Sequence, residues 1–254
     1  MKKTAAPELA PATVSEADGV RFLHLGTPWV QGAMRIRKPL AIELEYVQRM
    51  MVWMLLRPTD ELCSGHAVAL GMGTAAISRF THGAMKMRST VVELNPSVVH
   101  VCRLCFHLPD DGARFRTALA DAGQWVADPA NAGCAQVLCV DLYDHDAAGP
   151  AQDGEAFYAD CWRVLADGGV MTVNLFGRDA SFARSARRIA AAFGAANVFS
   201  LRPTKEGNTV VVGMKGCALP ARDILAERAL HIEADFKLAA RKWLPMIRLY
   251  EPSA

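Results

Sequence analysis

From residue 66 onward the chain repeats one unit: a short apolar run ending on glycine or an acid, then a stretch with apolar residues at helical spacing. "HAVALGMG" leads into "TAAISRFTHGA", "STVVELNP" into "PSVVHVCRLCF", and "ARFRTALADA" into "GQWVADPA". "AQVLCVDLYD" leads into "GEAFYADCWRVLADGG", a helix closed by glycines, and "VMTVNLFG" into "ASFARSARRIAAAFG". Runs this short and this apolar suit strands covered on both faces, and repeated strand–helix units wind into a mainly parallel sheet with helices on either side. "NVFSLRP" and "NTVVVGMKG", joined by the turn "TKEGN", predict a closing antiparallel hairpin. The expectation is an α/β domain over residues 61–216, built on a seven-stranded sheet.

The flanks read differently. Residues 1–18, rich in Ala, Pro and Glu, predict a flexible arm. Residues 19–60 predict a small module. In it "VRFLHLGTPWVQGAMRIRK" turns at Gly26-Thr27-Pro28 as a β-hairpin, and "LAIELEYVQRMMVWMLL" forms a helix that stops before Arg57-Pro58. Residues 217–254 predict one or two amphipathic helices packed on the outside, with no chemistry of their own.

Composition narrows the function. A formal net charge of +2 does not suggest a nucleic-acid surface, and Arg184, Arg187 and Arg188 fall at the spacing of a solvated helix face. The seven cysteines are scattered through apolar stretches. Cys102 and Cys105 make a lone CxxC without a second pair, so free thiols in a reducing compartment are expected. The start of the chain lacks an apolar secretory core, and no uninterrupted apolar run reaches the roughly 18 residues of a membrane span. These features predict a cytoplasmic protein without a membrane partner.

In a sheet of this kind ligands bind beyond the carboxyl ends of the strands, where the strand order reverses. The first strand ends in Gly71 and Gly73, with Ala76 where a third glycine can stand, and glycine lets the backbone approach a ligand closely. The second ends in Glu93, 20 positions after Gly73, near the spacing of about 20 at which an acid accepts from ribose hydroxyls. The third carries Asp121, suited either to an exocyclic adenine amine or to capping a helix. Together these ends outline an adenosine site on a Rossmann-like scaffold. The GxGxxA pattern also fits a nicotinamide dinucleotide, but the tail after residue 216 is too short for a substrate domain. No P-loop stretch occurs.

The fourth strand end, "DLYDHDAAGP" at 141–150, gathers three carboxylates and an imidazole within six positions. Asp141, Asp144, His145 and Asp146 permit a metal site or a solvated turn. They also permit a carboxylate pocket for a cationic amine beside an adenosyl sulfonium, which is the reading preferred. An amine with a pKa near about 10 must lose a proton before it attacks, and an aspartate can take it. No matching His–carboxylate pair lies elsewhere, so no metal is expected.

These residues resemble the spermidine/spermine synthase family, the polyamine aminopropyltransferases, and most closely its shorter bacterial branch. The resemblance covers about residues 20–215 and is carried by "LGTPWVQG", "LEYVQRMM", "LGMGTAA", "VVELNP", "ADA" and "VDLYD…GP…FYADCWRVLADGGVMTVNLFG". It implies a class I S-adenosylmethionine-dependent methyltransferase fold, with the N-terminal hairpin pairing two chains as a homodimer. It implies that decarboxylated S-adenosylmethionine, or S-adenosylmethionine itself, sits on Gly71, Gly73, Glu93 and Asp121, with Gln31, Thr74 and Ala122 beside it. Tyr46, Tyr143 and Asp146 then face a polyamine such as putrescine, Asp144 accepts its proton, and Asp141 stands next to that base.

Two departures bear on this. Thr74 stands where the family has an acid that holds the aminopropyl amine, and Met72 where it has a glycine. The acidic loop is two residues longer than the family's, with His145 in place of proline. Two other readings therefore share the scaffold: a methyltransferase, for which the loss of an acid at Thr74 leaves room for an intact methionine carboxylate, and a polyamine or nucleoside sensor that makes no product.

Overall fold

The computed structural model describes residues 9–143, 152–176 and 180–251. The expected parallel sheet forms from β4 (His66–Leu70), β5 (Arg88–Glu93), β6 (Phe115–Leu119), β7 (Ala135–Val140) and β8 (Leu165–Phe176). The closing pair β9 (Val198–Leu201) and β10 (Asn208–Met214) is antiparallel. An eighth strand, β11 (Ile247–Leu249), adds to the edge, giving the order β11-β9-β10-β8-β7-β4-β5-β6. The expected seven strands thus gain one from the C-terminal extension. Its short run "IRL" is too brief to show a period against the surrounding turns.

Apolar side chains cover both faces, as the continuous runs require. On one face Val68, Leu138, Val140, Met171 and Val173 join Phe157 and Cys161 of α5 (Glu155–Val164) and Ile189 of α6 (Ala180–Phe193). On the other, Ala67, Val91, Cys139 and Val212 meet the segment Met50–Leu56. That segment runs from α1 (Glu45–Met50) into a 3₁₀ turn, and Met50, Met51, Trp53, Met54 and Leu55 are fully buried. The C-terminal extension contributes one α-helix, α7 (Arg222–Phe236), which lays Leu225, Ala229 and Ile232 on the same core, followed by two short 3₁₀ turns at Ala240–Lys242 and Leu244–Met246.

The N-terminal module is larger than a hairpin. β2 (Val20–Leu25) and β3 (Gly32–Arg35) pair as expected, but β1 (Ala12–Ala17) completes a three-stranded antiparallel sheet. Residues 12–17, expected in a flexible arm, are therefore a strand. "ATVSEA" hides this because five of its six residues are exposed and no apolar alternation marks it. A second correction concerns Gly168 and Gly169, expected to close a helix. α5 ends at Val164 and both glycines lie inside β8, where Gly168 N–H donates to Lys215 carbonyl at 2.8 Å and Lys215 N–H to that of Gly169 at 2.9 Å.

Among the described residues no helix is long and apolar enough to cross a membrane, and no group of three or more His, Cys, Asp or Glu is placed to hold a metal ion. All seven cysteines are free.

Candidate active site

β4 is flanked by β5 on one side and β7 on the other, so the strand order reverses there. A cavity of about 820 Å³ opens beyond the carboxyl ends of β4 through β8. Its roof is the N-terminal sheet, through Val20, Phe22 and Leu25, and the turn from Pro28 to Gln31, where Trp29 is largely exposed. Sequence order therefore puts five strand ends on the floor and the small module above them.

The glycine turn after β4 is built by close approach. Gly71 has φ +87°, its N–H donates to the Val92 carbonyl at 2.9 Å, and a Cβ there would overlap the backbone carbonyl oxygen of Asp141. Gly73, at φ +49°, packs under the Gln31 carbonyl, which a Cβ would meet at 3.0 Å. Gly32 of β3 faces the same turn, and a Cβ on it would lie 2.8 Å from the Thr74 nitrogen. Thr74 was expected among the donor contacts. Its side chain is buried, its hydroxyl donates to the Ala33 carbonyl at 3.2 Å, and it lines a chamber of about 20 Å³ beside the main cavity, so it ties the hairpin to the glycine turn.

Glu93 and Asp121 both reach the cavity wall. Glu93 accepts from the Met72 N–H at 3.0 Å through Oε2 and from the Asn95 N–H at 2.8 Å through Oε1. Burial raises its pKa, while these backbone donors pull it down. Each oxygen keeps a lone pair for a further donor such as a ribose hydroxyl. Asp121 caps α4 (Ala122–Ala127), its Oδ1 accepting from the Gln124 N–H at 2.9 Å, and Ala122 lies buried against the same wall. The two roles considered for Asp121 are compatible, because capping engages one oxygen.

Asp141 stands where β7 ends, its N–H donating to the Leu70 carbonyl at 2.9 Å. Asp141 is half-buried and lines the cavity. Tyr46 on α1 donates its hydroxyl to Oδ2 at 3.1 Å, and Asn174 on β8 donates Nδ2 to Oδ1 at 2.8 Å. Burial raises the pKa of Asp141, the largest effect, and the Asn174 and Tyr46 hydrogen bonds oppose it. Tyr46 is pushed well above the usual phenol range by burial and by the neighbouring charge, so it donates without ionising. Tyr143 is likewise raised; its hydroxyl donates to the Asn174 carbonyl at 2.9 Å and accepts from the Phe176 N–H. Asp144 and Asp146, expected as proton acceptor and substrate contact, lie outside the described residues, as does His145.

Three further wall residues, Asn174, Asn208 and Glu206, escaped the sequence reading. A polar residue in the apolar strand "VMTVNLF" was the available signal for Asn174. Asn208 and Glu206 sit in or beside a turn, where polar residues carry little information.

No protein-family model matches the chain. A polyamine aminopropyltransferase of Neisseria meningitidis serogroup A / serotype 4A (strain DSM 15465 / Z2491) is 27% identical over 253 residues, covering 99% of this chain and 93% of the relative. The crystal structure of a probable spermidine synthase from Corynebacterium glutamicum ATCC 13032 aligns with TM-score 0.69 at 18% identity, over 100% of this chain and 98% of that one. Human methyltransferase-like protein 13, in complex with SAH, aligns with TM-score 0.62 at 22% identity, over 84% and 95%. The chain thus shares the class I methyltransferase-like fold common to both structures.

Proposed function

We propose that this chain, a relative of the polyamine aminopropyltransferases, is a transferase that moves an aminopropyl group from decarboxylated S-adenosylmethionine to a polyamine such as putrescine, releasing 5′-methylthioadenosine. The carrying observation is the charge of the cavity. Six carboxylates line it (Glu43, Glu45, Glu93, Asp121, Asp141 and Glu206), and among the described residues no Lys, Arg or His does. Glu43 is offset by Arg35 at 2.5 Å and Glu45 by Arg49 at 2.6 Å. Glu93, Asp121 and Asp141 have no cation within salt-bridge distance among the described residues. A decarboxylated donor, with a sulfonium and an ammonium, and a polycationic acceptor both suit such walls. The carboxylate of an intact methionine would face them uncompensated.

The chemistry proposed rests on the resemblance and on the residues that line the cavity. Glu93 holds the ribose and Asp121 the adenine edge, with the glycine turn against the nucleoside. The acceptor amine gives up a proton to Asp144, the base that the resemblance implies, and Asp141 at the end of β7 contributes its negative charge. Its freed lone pair attacks the aminopropyl carbon attached to sulfur; the C–N bond forms as the C–S bond breaks, and the electron pair leaves on sulfur as a neutral thioether. Oriented in-line displacement of this kind draws its rate from positioning and from the base. On the resemblance, the enzyme acts as a cytoplasmic homodimer.

Mass spectrometry of the nucleoside product tests this. Methylthioadenosine formed only from the decarboxylated donor, and only when an amine is present, supports aminopropyl transfer. S-adenosylhomocysteine from the intact donor would move the protein to the methyltransferases. Donor binding by calorimetry without either product would mean a binding protein.

A further inference from the structure

Asp141 carries a hydrogen-bond chain that the transfer reaction does not by itself require. Its Oδ1 accepts from Asn174 Nδ2 at 2.8 Å, and Asn174 Oδ1 in turn accepts from Asn208 Nδ2 at 3.1 Å. Strand register makes the second link. β10 runs antiparallel to β8 with Asn208 opposite Phe176 and Val210 opposite Asn174, so Asn208 and Asn174 are diagonal neighbours on one face of the sheet. Asn174 is nearly fully buried. The turn before β10 holds Asn208 in turn: its N–H donates to Thr204 Oγ1 at 3.2 Å, and its carbonyl accepts from the Thr204 N–H at 2.8 Å.

An amide is ambiguous in a way that a hydroxyl is not. Rotated by half a turn, Asn174 would set its carbonyl oxygen against the Asp141 carboxylate, two acceptors with no proton between them. Asn208 opposes that turn: with its Nδ2 as placed, rotating Asn174 alone loses the Asn208 bond as well as the one to Asp141. We infer that Asn208 is a positioning residue, which locks the amide of Asn174 so that its N–H is always offered to the Asp141 carboxylate. This rests on the aminopropyl-transfer reading for its consequence in turnover, but the lock itself belongs to the free protein. Among the described residues, the titratable groups that feel Asp141 are Tyr46 on α1, Tyr143 just after β7 and Cys139 within β7. None of them contacts Asn208 among the bonds described.

The test uses the full chain with Asn208→Leu, which keeps bulk and loses the donor, and Asn208→Gln, which keeps an amide. Asn208→Ala serves as a second donorless variant if the Leu protein folds poorly. The Asp141 carboxyl is followed by ¹³C resonance against pH, its signal assigned by its loss in Asp141→Asn. Loss of the lock should strengthen proton binding at Asp141 about threefold or more in the Leu and Ala variants. The Gln variant should stay near the wild type. In an Asn174→Ala background the Leu substitution should add nothing, because the intermediary is gone. An unchanged Asp141 titration in the donorless variants would overturn the inference, as would an effect that persists without Asn174. Methylthioadenosine release measured in parallel should fall at low pH and recover at high pH in the donorless variants. If the wild type released none while the Asp141 titration still moved, the aminopropyl reading would fail and the lock would stand.

Discussion

The hydroxyl of Tyr46 donates to Oδ2 of Asp141 at 3.1 Å, linking the first helix to the end of β7 across 95 positions of sequence. Among the described residues it is one of two side-chain donors to that carboxylate, Asn174 being the other. Tyr46→Phe removes it and favours the protonated acid. The acid limb of the kcat/KM profile should move to higher pH, and turnover near neutral pH should fall about tenfold, the scale of a hydrogen bond to a charged group. A profile superimposable on the wild type would detach Tyr46 from the chemistry.

Asp141 also links pH to stability. Burial holds its folded pKa above the unfolded value. Its contribution is therefore fully present below the unfolded value of about 3.9 and is lost as pH rises through the folded one. Relative to Asp141→Asn, the wild type should lose about 1.4 kcal/mol of stability for each pH increment of about one between those two values. Urea denaturation of both proteins from about pH 4 to about pH 8 measures this; a difference constant with pH would exclude Asp141 as the titrating group.

Gly71→Ala should be the costliest of the glycine substitutions. Its φ of +87° is strained for any side chain, and the added Cβ overlaps the Asp141 carbonyl oxygen, which is backbone and cannot rotate away. About 2–4 kcal/mol of destabilisation is expected. Gly73→Ala, where the Cβ would meet the Gln31 carbonyl at 3.0 Å, should cost less. Thermal or urea midpoints of the pair rank the two positions.

Glu93→Gln keeps the shape and replaces one acceptor oxygen with an NH₂. The Met72 and Asn95 N–H groups, 3.0 and 2.8 Å from the two carboxylate oxygens, can then no longer both be satisfied. Affinity for methylthioadenosine should drop about tenfold or more by calorimetry, with the glycine turn loosened. Equal affinity would remove Glu93 from the nucleoside site.

Asp121 has a cap role and a proposed adenine role, and one pair of variants separates them. Asp121→Ser still accepts from the Gln124 N–H and should keep its melting temperature, whereas Asp121→Ala should lose about 1 kcal/mol. Both should bind adenosine nucleosides more weakly. A Ser variant that binds normally would leave Asp121 as a cap alone.

Much of this site was readable before folding. Gly71, Glu93, Asp121 and Asp141 each follow an apolar run, and a parallel α/β sheet sends the ends of such runs to one edge. Local periodicity and burial on both faces therefore determined the strands, their direction and the acids at their tips. Tertiary structure decided which groups meet across distance. β1 has too few buried residues to announce itself, Thr74 turned toward the hairpin because Gly32 packs against it, and β11 took its place by pairing with β9. Asn208 reaches Asn174 only because one antiparallel register puts it opposite Phe176. A shift of one residue would send its side chain to the other face of the sheet. Such registers depend on packing summed over the whole domain, which no single stretch of sequence displays.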